Sequence, residues 1–134
     1  MINNNNNENG KCNNNDNDKK KSQLLVSIIF PCHNVSNYLS QSLESLTKCT
    51  YRPLEIIIYN DCSTDNTSDM IREWIHNNPN DDNFTVIFAE NLDPSLSSCA
   101  FARNSAILLS SGVLIANVVV VCKYHFDHQY LFHA

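Results

Sequence analysis

Val26-Ser27-Ile28-Ile29-Phe30 is a short, apolar, β-branched run closed by Pro31, the pattern of a strand covered on both faces as in a parallel sheet. Beyond the turn at residues 32–34, Ser36 is placed to cap a helix in which Tyr38, Leu39, Leu43 and Leu46 recur at helical spacing, with Lys48 in the last turn and Pro53 beyond it. Leu54-Glu55-Ile56-Ile57-Ile58-Tyr59 predicts a second buried strand, ended by the turn-forming cluster at residues 60–66. Met70, Ile71, Trp74 and Ile75 mark an amphipathic helix, capped near Thr64 or Asp65 and halted by Asn77-Asn78-Pro79. Residues 85–89 predict a third strand, and a polar loop with Pro94 inside it leads to a helix over 98–111. That helix carries Phe101, Ile107 and Leu108 on or near one face, with Gly112 as its C-cap. Residues 113–121 are a fourth strand candidate, buried like the others. Strands alternating with helices of about 10–15 residues predict right-handed β-α-β units on a parallel sheet, so the fold class is α/β.

Composition narrows where this fold begins. The 134 residues carry a formal charge of -5, from 9 Lys+Arg against 14 Asp+Glu. That length holds one modest domain, and an acidic balance with no basic stripe argues against nucleic acid as a partner. The leader over residues 1–22 contains asparagine runs at 3–7 and 13–15 and the charged patch Lys19-Lys20-Lys21, so it is expected to be disordered. Residues 23–116 are expected to form the domain, and 117–134 an atypical tail. The six cysteines show no C-x-x-C pair, so no zinc or disulfide framework is readable. Without an apolar run after the N-terminal charges, the expected compartment is the cytoplasm, where the sequons at Asn34, Asn66 and Asn83 are idle. Residues 106–122 are largely apolar but contain Ser110, Ser111, Gly112 and Asn117, which argues against a membrane span of ~20 apolar residues.

In an open parallel sheet, ligands bind beyond the carboxyl ends of the strands. Pro31-Cys32-His33-Asn34 follows the first strand and Asn60-Asp61-Cys62-Ser63-Thr64-Asp65 the second, so both loops face one edge. Neither holds glycine. With Gly10 and Gly112 as the whole glycine complement, G-x-G-x-x-G and G-x-x-x-x-G-K-[ST] are both impossible.

Three segments resemble the family 2 glycosyltransferases, whose nucleotide-sugar-binding half reads V-S-I-I-x-P-x-[YH]-N, then E-I-I-x-x-[DN]-D-x-S-x-D, then A-R-N. Here they are Val26-Ser27-Ile28-Ile29-Phe30-Pro31-Cys32-His33-Asn34, Glu55-Ile56-Ile57-Ile58-Tyr59-Asn60-Asp61-Cys62-Ser63-Thr64-Asp65 and Ala102-Arg103-Asn104. The resemblance covers residues 26–116, and the His of P-x-H-N with the Asn of N-D-x-S is most similar to the β-1,3-N-acetylglucosaminyltransferase-like branch. It implies part of a GT-A, Rossmann-like sheet with flanking helices. It also implies a nucleotide site drawn from Pro31, His33, Asn34, Asp61, Asp65 and Arg103. His33 would lie against the uracil ring of a UDP-sugar and Asp61 would accept from the imide N–H. Asp65 would cap the following helix or support the loop, and Arg103 would meet the diphosphate. The same residues also read without a ligand: His33, Asp61 and Asp65 as turn and cap residues, Arg103 as a solvated helix face.

The departure comes at the fourth strand. The resemblance implies an aspartate-rich end there, whose carboxylates hold Mn2+ or Mg2+ against the diphosphate. This chain reads Ala116-Asn117-Val118-Val119-Val120-Val121 instead. No catalytic residue, metal ligand or cofactor is therefore expected within it, and the acceptor-binding half, with its base, is absent. Residues 117–134 read as foreign to the fold, as an unspliced intron would make them, although Cys122, His125, Asp127, His128 and His133 include metal-ligand types. The expectation is an inactive glycosyltransferase fragment that recognises the uridine end of UDP weakly, or alternatively a non-catalytic remnant or an unstable truncated product.

Overall fold

The computed structural model describes residues 23–118, so the leader over 1–22 and the tail over 119–134 lie outside the described residues. The elements run β1 (Val26–Cys32), α1 (Ser36–Thr47), β2 (Leu54–Asp61), α2 (Thr67–Asn77), β3 (Phe84–Asn91), a 3-10 turn (Pro94–Leu96), α3 (Cys99–Leu109) and β4 (Leu114–Asn117). All four strands pair in parallel, in the order β3-β2-β1-β4. The chain winds outward from β1 to β3 and then returns to the far side of β1, which makes the gap between β1 and β4 the point where the winding reverses.

The period-2 alternation of β1 and β2 sorts their side chains into two cores. Ile28, Phe30, Ile56 and Ile58 face α1 and α2, where Leu39, Leu43, Leu46 and Ile71 cover them. Ile29, Ile57 and Tyr59 face α3 and meet Ala102 and Ala106. All eight residues of β2 are buried, as befits a strand with a neighbour on each side and helices on both faces.

Several expectations change on contact with this packing. β1 continues through Pro31 and Cys32, with Pro31 in register with Tyr59, while the described pairing of β1 with β4 runs as far as Ile29. β2 likewise takes in Asn60 and Asp61, which belong to the strand and not to a turn. Tyr38 is 53% exposed, so the buried stripe of α1 is Leu39, Leu43 and Leu46 alone. On α3 the buried positions are the two alanines, and Leu108 is 86% exposed: small residues bring the helix close to the sheet and turn the large ones away.

β4 departs furthest. All four of its residues are exposed, because it is an edge strand paired only with β1 and uncovered among the described residues. Gly112 does not cap α3, which ends at Leu109 followed by an extended Ser110. No described glycine has a positive φ. Its small size serves a close approach, since a Cβ at Gly112 would stand 2.4 Å from Ser27 Oγ and 2.8 Å from Ser27 N. No helix among the described residues is long and apolar enough to cross a membrane.

Candidate nucleotide site at the strand ends

Register brings the first two loops together. Cys32 pairs with Asn60, so His33 and Asp61 emerge side by side from neighbouring parallel strands, and His33 Nδ1 bonds the Asp61 carbonyl oxygen at 2.5 Å. Asn34 then turns the chain at φ 51°, a left-handed conformation that asparagine tolerates. Its backbone N–H donates to Ser63 Oγ at 2.9 Å, and its Oδ1 accepts from the N–H groups of Thr64 (2.7 Å) and Asp65 (3.3 Å). Val35 N–H donates to Thr67 Oγ1 at 3.0 Å and Ser36 N–H to Asp65 Oδ2 at 3.1 Å. The two loops are thus fastened along their length.

Asp65 serves two helices at once. Its Oδ1 accepts from Thr67 N–H at 3.1 Å at the start of α2, while Oδ2 holds Ser36 at the start of α1. Val35 and Asn66, which occupy the N-cap positions themselves, contribute no side-chain bond, and Ser36 is capped instead of capping. Burial pushes the Asp65 carboxyl upward, but the bonds from Thr67 and Ser36 outweigh it and hold the group down at about 2. Asp65→Ala is expected to cost about 1 kcal/mol at neutral pH, the usual size of a lost cap. The folded carboxyl ionises below its unfolded value of ~3.9, so its stabilisation is complete above about pH 4 and disappears as the pH falls through 2. Urea unfolding at pH 7 and pH 2.5 checks this, since the gap between wild type and variant should narrow in acid.

Asp61 is 3% exposed. Its Oδ1 accepts from Asn91 Nδ2 at 2.8 Å and its Oδ2 from Ser97 Oγ at 2.9 Å, which ties the loop after β3 to the end of β2. A carboxylate has about four acceptor sites, so two bonds leave it capacity for a further donor. Next to it, Asn60 Nδ2 donates to Ser68 Oγ (2.7 Å) and Glu90 Oε1 (3.1 Å), and Glu90 also receives Ser68 and Arg72. Burial raises the Glu90 carboxyl, yet Ser68, Asn60 and Arg72 bring it below its ordinary value, so it stays ionised. Cys62, at φ 54°, donates Sγ–H to Asn91 O at 3.1 Å. Burial and the charges of Asp61 and Asp93 push its thiol upward, which keeps it protonated and unsuited to nucleophilic chemistry.

Of the six residues singled out from the sequence, five gather here: Pro31 at the end of β1, His33, Asn34, Asp61 and Asp65. Arg103 is held within its own helix, its Nη2 3.6 Å from Cys99 Sγ one turn nearer the N-terminus of α3. Sequence reasoning missed Asn91, Ser97 and Ser63. Asn91 was findable, because it stands in register with Asp61 on a parallel neighbour. Ser63 stands in the N-D-x-S-x-D motif, whereas Ser97 carries no sequence signal, since loop geometry alone delivers it. A groove of about 310 Å³ between α1 and α2, lined by Leu43, Met70 and Trp74 among others, belongs to helix packing and not to these loops.

A doubly covered parallel sheet with polar loops clustered at its carboxyl edge is a nucleotide-binding architecture of the α/β class. The chain belongs to glycosyl transferase family 2, whose sequence model matches residues 27–118. Among curated relatives, the putative teichuronic acid biosynthesis glycosyltransferase TuaG of Bacillus subtilis is 32% identical over 92 residues, covering 69% of this chain and 34% of that one. The UDP-Glc:alpha-D-GlcNAc-diphosphoundecaprenol beta-1,3-glucosyltransferase WfgD of Escherichia coli is 34% identical, covering 69% and 33%. The chain therefore spans about a third of the length of these relatives. Among solved structures, S. aureus TarS 1-349 in complex with UDP superposes with a TM-score of 0.59 at 25% identity, covering 71% of this chain and 27% of that one. The mannosyltransferase PcManGT from Pyrobaculum calidifontis, in complex with GDP-Man and Mn2+, gives a TM-score of 0.62 at 22% identity over 71% and 27%, a likeness of fold.

The divalent cation implied by the family resemblance can be tested on donor chemistry. Among the described residues no group of three or more His, Cys, Asp or Glu side chains is placed to hold a metal ion. The described residues do not fit the ion.

Proposed function

We propose that residues 23–116 are the nucleotide-binding part of a family 2 glycosyltransferase domain and bind the uridine end of a UDP-sugar, weakly and without metal. In this reading His33 lies on the uracil ring, Asp61 accepts from the imide N–H, Pro31 and Asn34 shape the loop, Asp65 fastens it, and Arg103 supplies positive charge toward the diphosphate. The observation that carries it is the pairing of an aromatic ring with a buried carboxylate at adjacent strand ends. The UDP bound by TarS and the UDP-Glc named for WfgD support a uridine donor. His33 in P-x-H-N and Asn60 in N-D-x-S favour the β-1,3-N-acetylglucosaminyltransferase-like branch. The chain by itself does not transfer sugar, since valines occupy positions 118–121 and no Asp-x-Asp segment follows Ala116 to hold a metal against a leaving diphosphate. An affinity on the order of millimolar, or ~4 kcal/mol of binding, is expected from the base contacts alone.

NMR titration with UDP, and with AMP as control, tests the reading in the presence and absence of Mn2+. UDP should shift signals around His33 and Asp61, AMP should not, and Mn2+ should not tighten the response. Asp61→Asn, which keeps the shape and the bonds to Asn91 and Ser97 within reach, should weaken UDP binding at least tenfold while unfolding cooperatively. Equal responses to the two nucleotides, or UDP binding untouched by Asp61→Asn, would leave Asp61 as a loop anchor and sink the uridine assignment.

A further inference from the structure

We infer that Asn34 is the positioning residue of His33, fixing both the tautomer and the plane of its ring; this rests on the reading of His33 as the group that meets the nucleobase. A chain of hydrogen bonds carries the argument, because backbone groups of unambiguous role stand at its two ends. The N–H groups of Thr64 and Asp65 can only donate, and they lie 2.7 and 3.3 Å from Asn34 Oδ1, which orients the carboxamide. Its other end, Nδ2, is a donor and sits 3.1 Å from His33 Nε2, so Nε2 must accept. A neutral imidazole that accepts at Nε2 carries its proton on Nδ1. Nδ1 meets the Asp61 carbonyl, which can only accept. The direction of every bond is thus set from both ends, and the two settings agree.

The backbone of Asn34 adds to the constraint. At φ 51° its N–H is turned onto Ser63 Oγ at 2.9 Å, so the side chain leaves the loop at a fixed angle. With both ring nitrogens engaged in the ring plane, His33 meets a base through its face, and hydrogen-bond reading of the base falls to Asp61. Asn34 therefore acts through His33 and through the loop.

Imidazole nitrogen NMR on the full, isotopically labelled chain reads the tautomer directly, with no ligand present. In alkaline solution Nδ1–H should predominate at His33; predominance of Nε2–H overturns the inference whether or not UDP binds. Asn34→Gly keeps the left-handed backbone accessible and removes the carboxamide. It should leave the amide spectrum of the sheet in place, move His33 toward Nε2–H and weaken UDP binding on the order of tenfold, the effect of about one net hydrogen bond. An unchanged tautomer together with unchanged UDP affinity in Asn34→Gly makes Asn34 a loop residue only. Nδ1–H in a wild type that does not bind UDP overturns the uridine reading and leaves the tautomer assignment standing.

Discussion

Glu55→Ala is expected to lower the unfolding free energy by about 3 kcal/mol, more than any change in the loops described above. Glu55 is 5% exposed in the middle of a parallel sheet, and donors balance its charge. Ser27 Oγ donates to Oε2 at 2.6 Å, Ser111 N–H to Oε2 at 2.9 Å and Ser111 Oγ to Oε1 at 2.7 Å. Removing the carboxylate strands the buried Ser27 hydroxyl and unties the part-buried bonds from Ser111, at about 1–3 kcal/mol for a donor left without a partner. Burial pushes the Glu55 carboxyl upward, but the Ser111 N–H, the Ser27 and Ser111 hydroxyls and the Gly112 N–H together bring it below its ordinary value. Its stabilisation is therefore complete above the unfolded value of ~4.3 and is lost as the pH falls through the lower, folded value. Urea unfolding of wild type, Glu55→Ala and Glu55→Gln at pH 7 measures the effect, with Glu55→Gln intermediate because it keeps the volume and one acceptor. A Glu55→Ala protein within about 0.5 kcal/mol of wild type, the range of ordinary surface substitutions, would refute the network's role.

Gly112→Ala should cost about as much by the opposite route, crowding instead of loss. The new Cβ would lie 2.4 Å from Ser27 Oγ, 2.8 Å from Ser27 N and 3.0 Å from Leu25 O. Two of those neighbours are backbone atoms of the strand region that Gly112 must approach. The third is pinned, since Ser27 Oγ accepts from Gly112 N–H at 2.8 Å while donating to Glu55. Relief requires β4 to move away from β1, at the expense of the pairs from Val26↔Leu114 to Ile29↔Asn117. The expected loss is about 3 kcal/mol. Adding Ser27→Ala to Gly112→Ala should recover part of it, because the closest contact is gone while the backbone contacts remain. Thermal unfolding of the two single variants and the double variant gives the coupling, and strict additivity would contradict the proposed clash.

The strands and helices were legible because their signals are local. Apolar β-branched runs fixed β1 to β3, and helical spacing fixed α1 and α2. What the pattern hid depends on partners far along the chain. Tyr38 and Leu108 fit a helical stripe as well as Leu39 and Ala106 do, and only the distance between helix and sheet decides between them. Asn60 and Asp61 look like turn residues, yet Asn60 pairs with strands on both sides of β2 and Asp61 with β3, which draws them into the ladder. The family motifs led to Asn34 and to Asp65, the latter as a helix cap or loop support, and Asp65 does bond Thr67 and Ser36. That Asn34 and Asp65 each bond across the two loops is a pairing no single segment reveals. Ser97 reaches Asp61 across 36 positions, and the intervening strand and turn geometry that achieves this has no composition of its own. Gly112 was marked as special for the wrong reason: a glycine after a helix suggests a left-handed cap, whereas the cause lies 85 positions away at Ser27.

That last separation also bears on the closure of the sheet. Ser27 and Glu55 are 28 positions apart, so joining β1 to β2 closes a loop of modest length. Bringing Gly112 to Ser27 closes one of 85, at an additional entropic cost of about 1 kcal/mol, and the strand that follows has four residues, all of them exposed. The entropy of that closure falls on β4, the strand with the least burial to offset it. Ser111 and Gly112, which lead into β4, complete the donors around the Glu55 carboxylate and Ser27 Oγ. The enclosure of the charge at the centre of the sheet thus depends on its longest loop closure, while β1, β2 and β3 pair with one another without it.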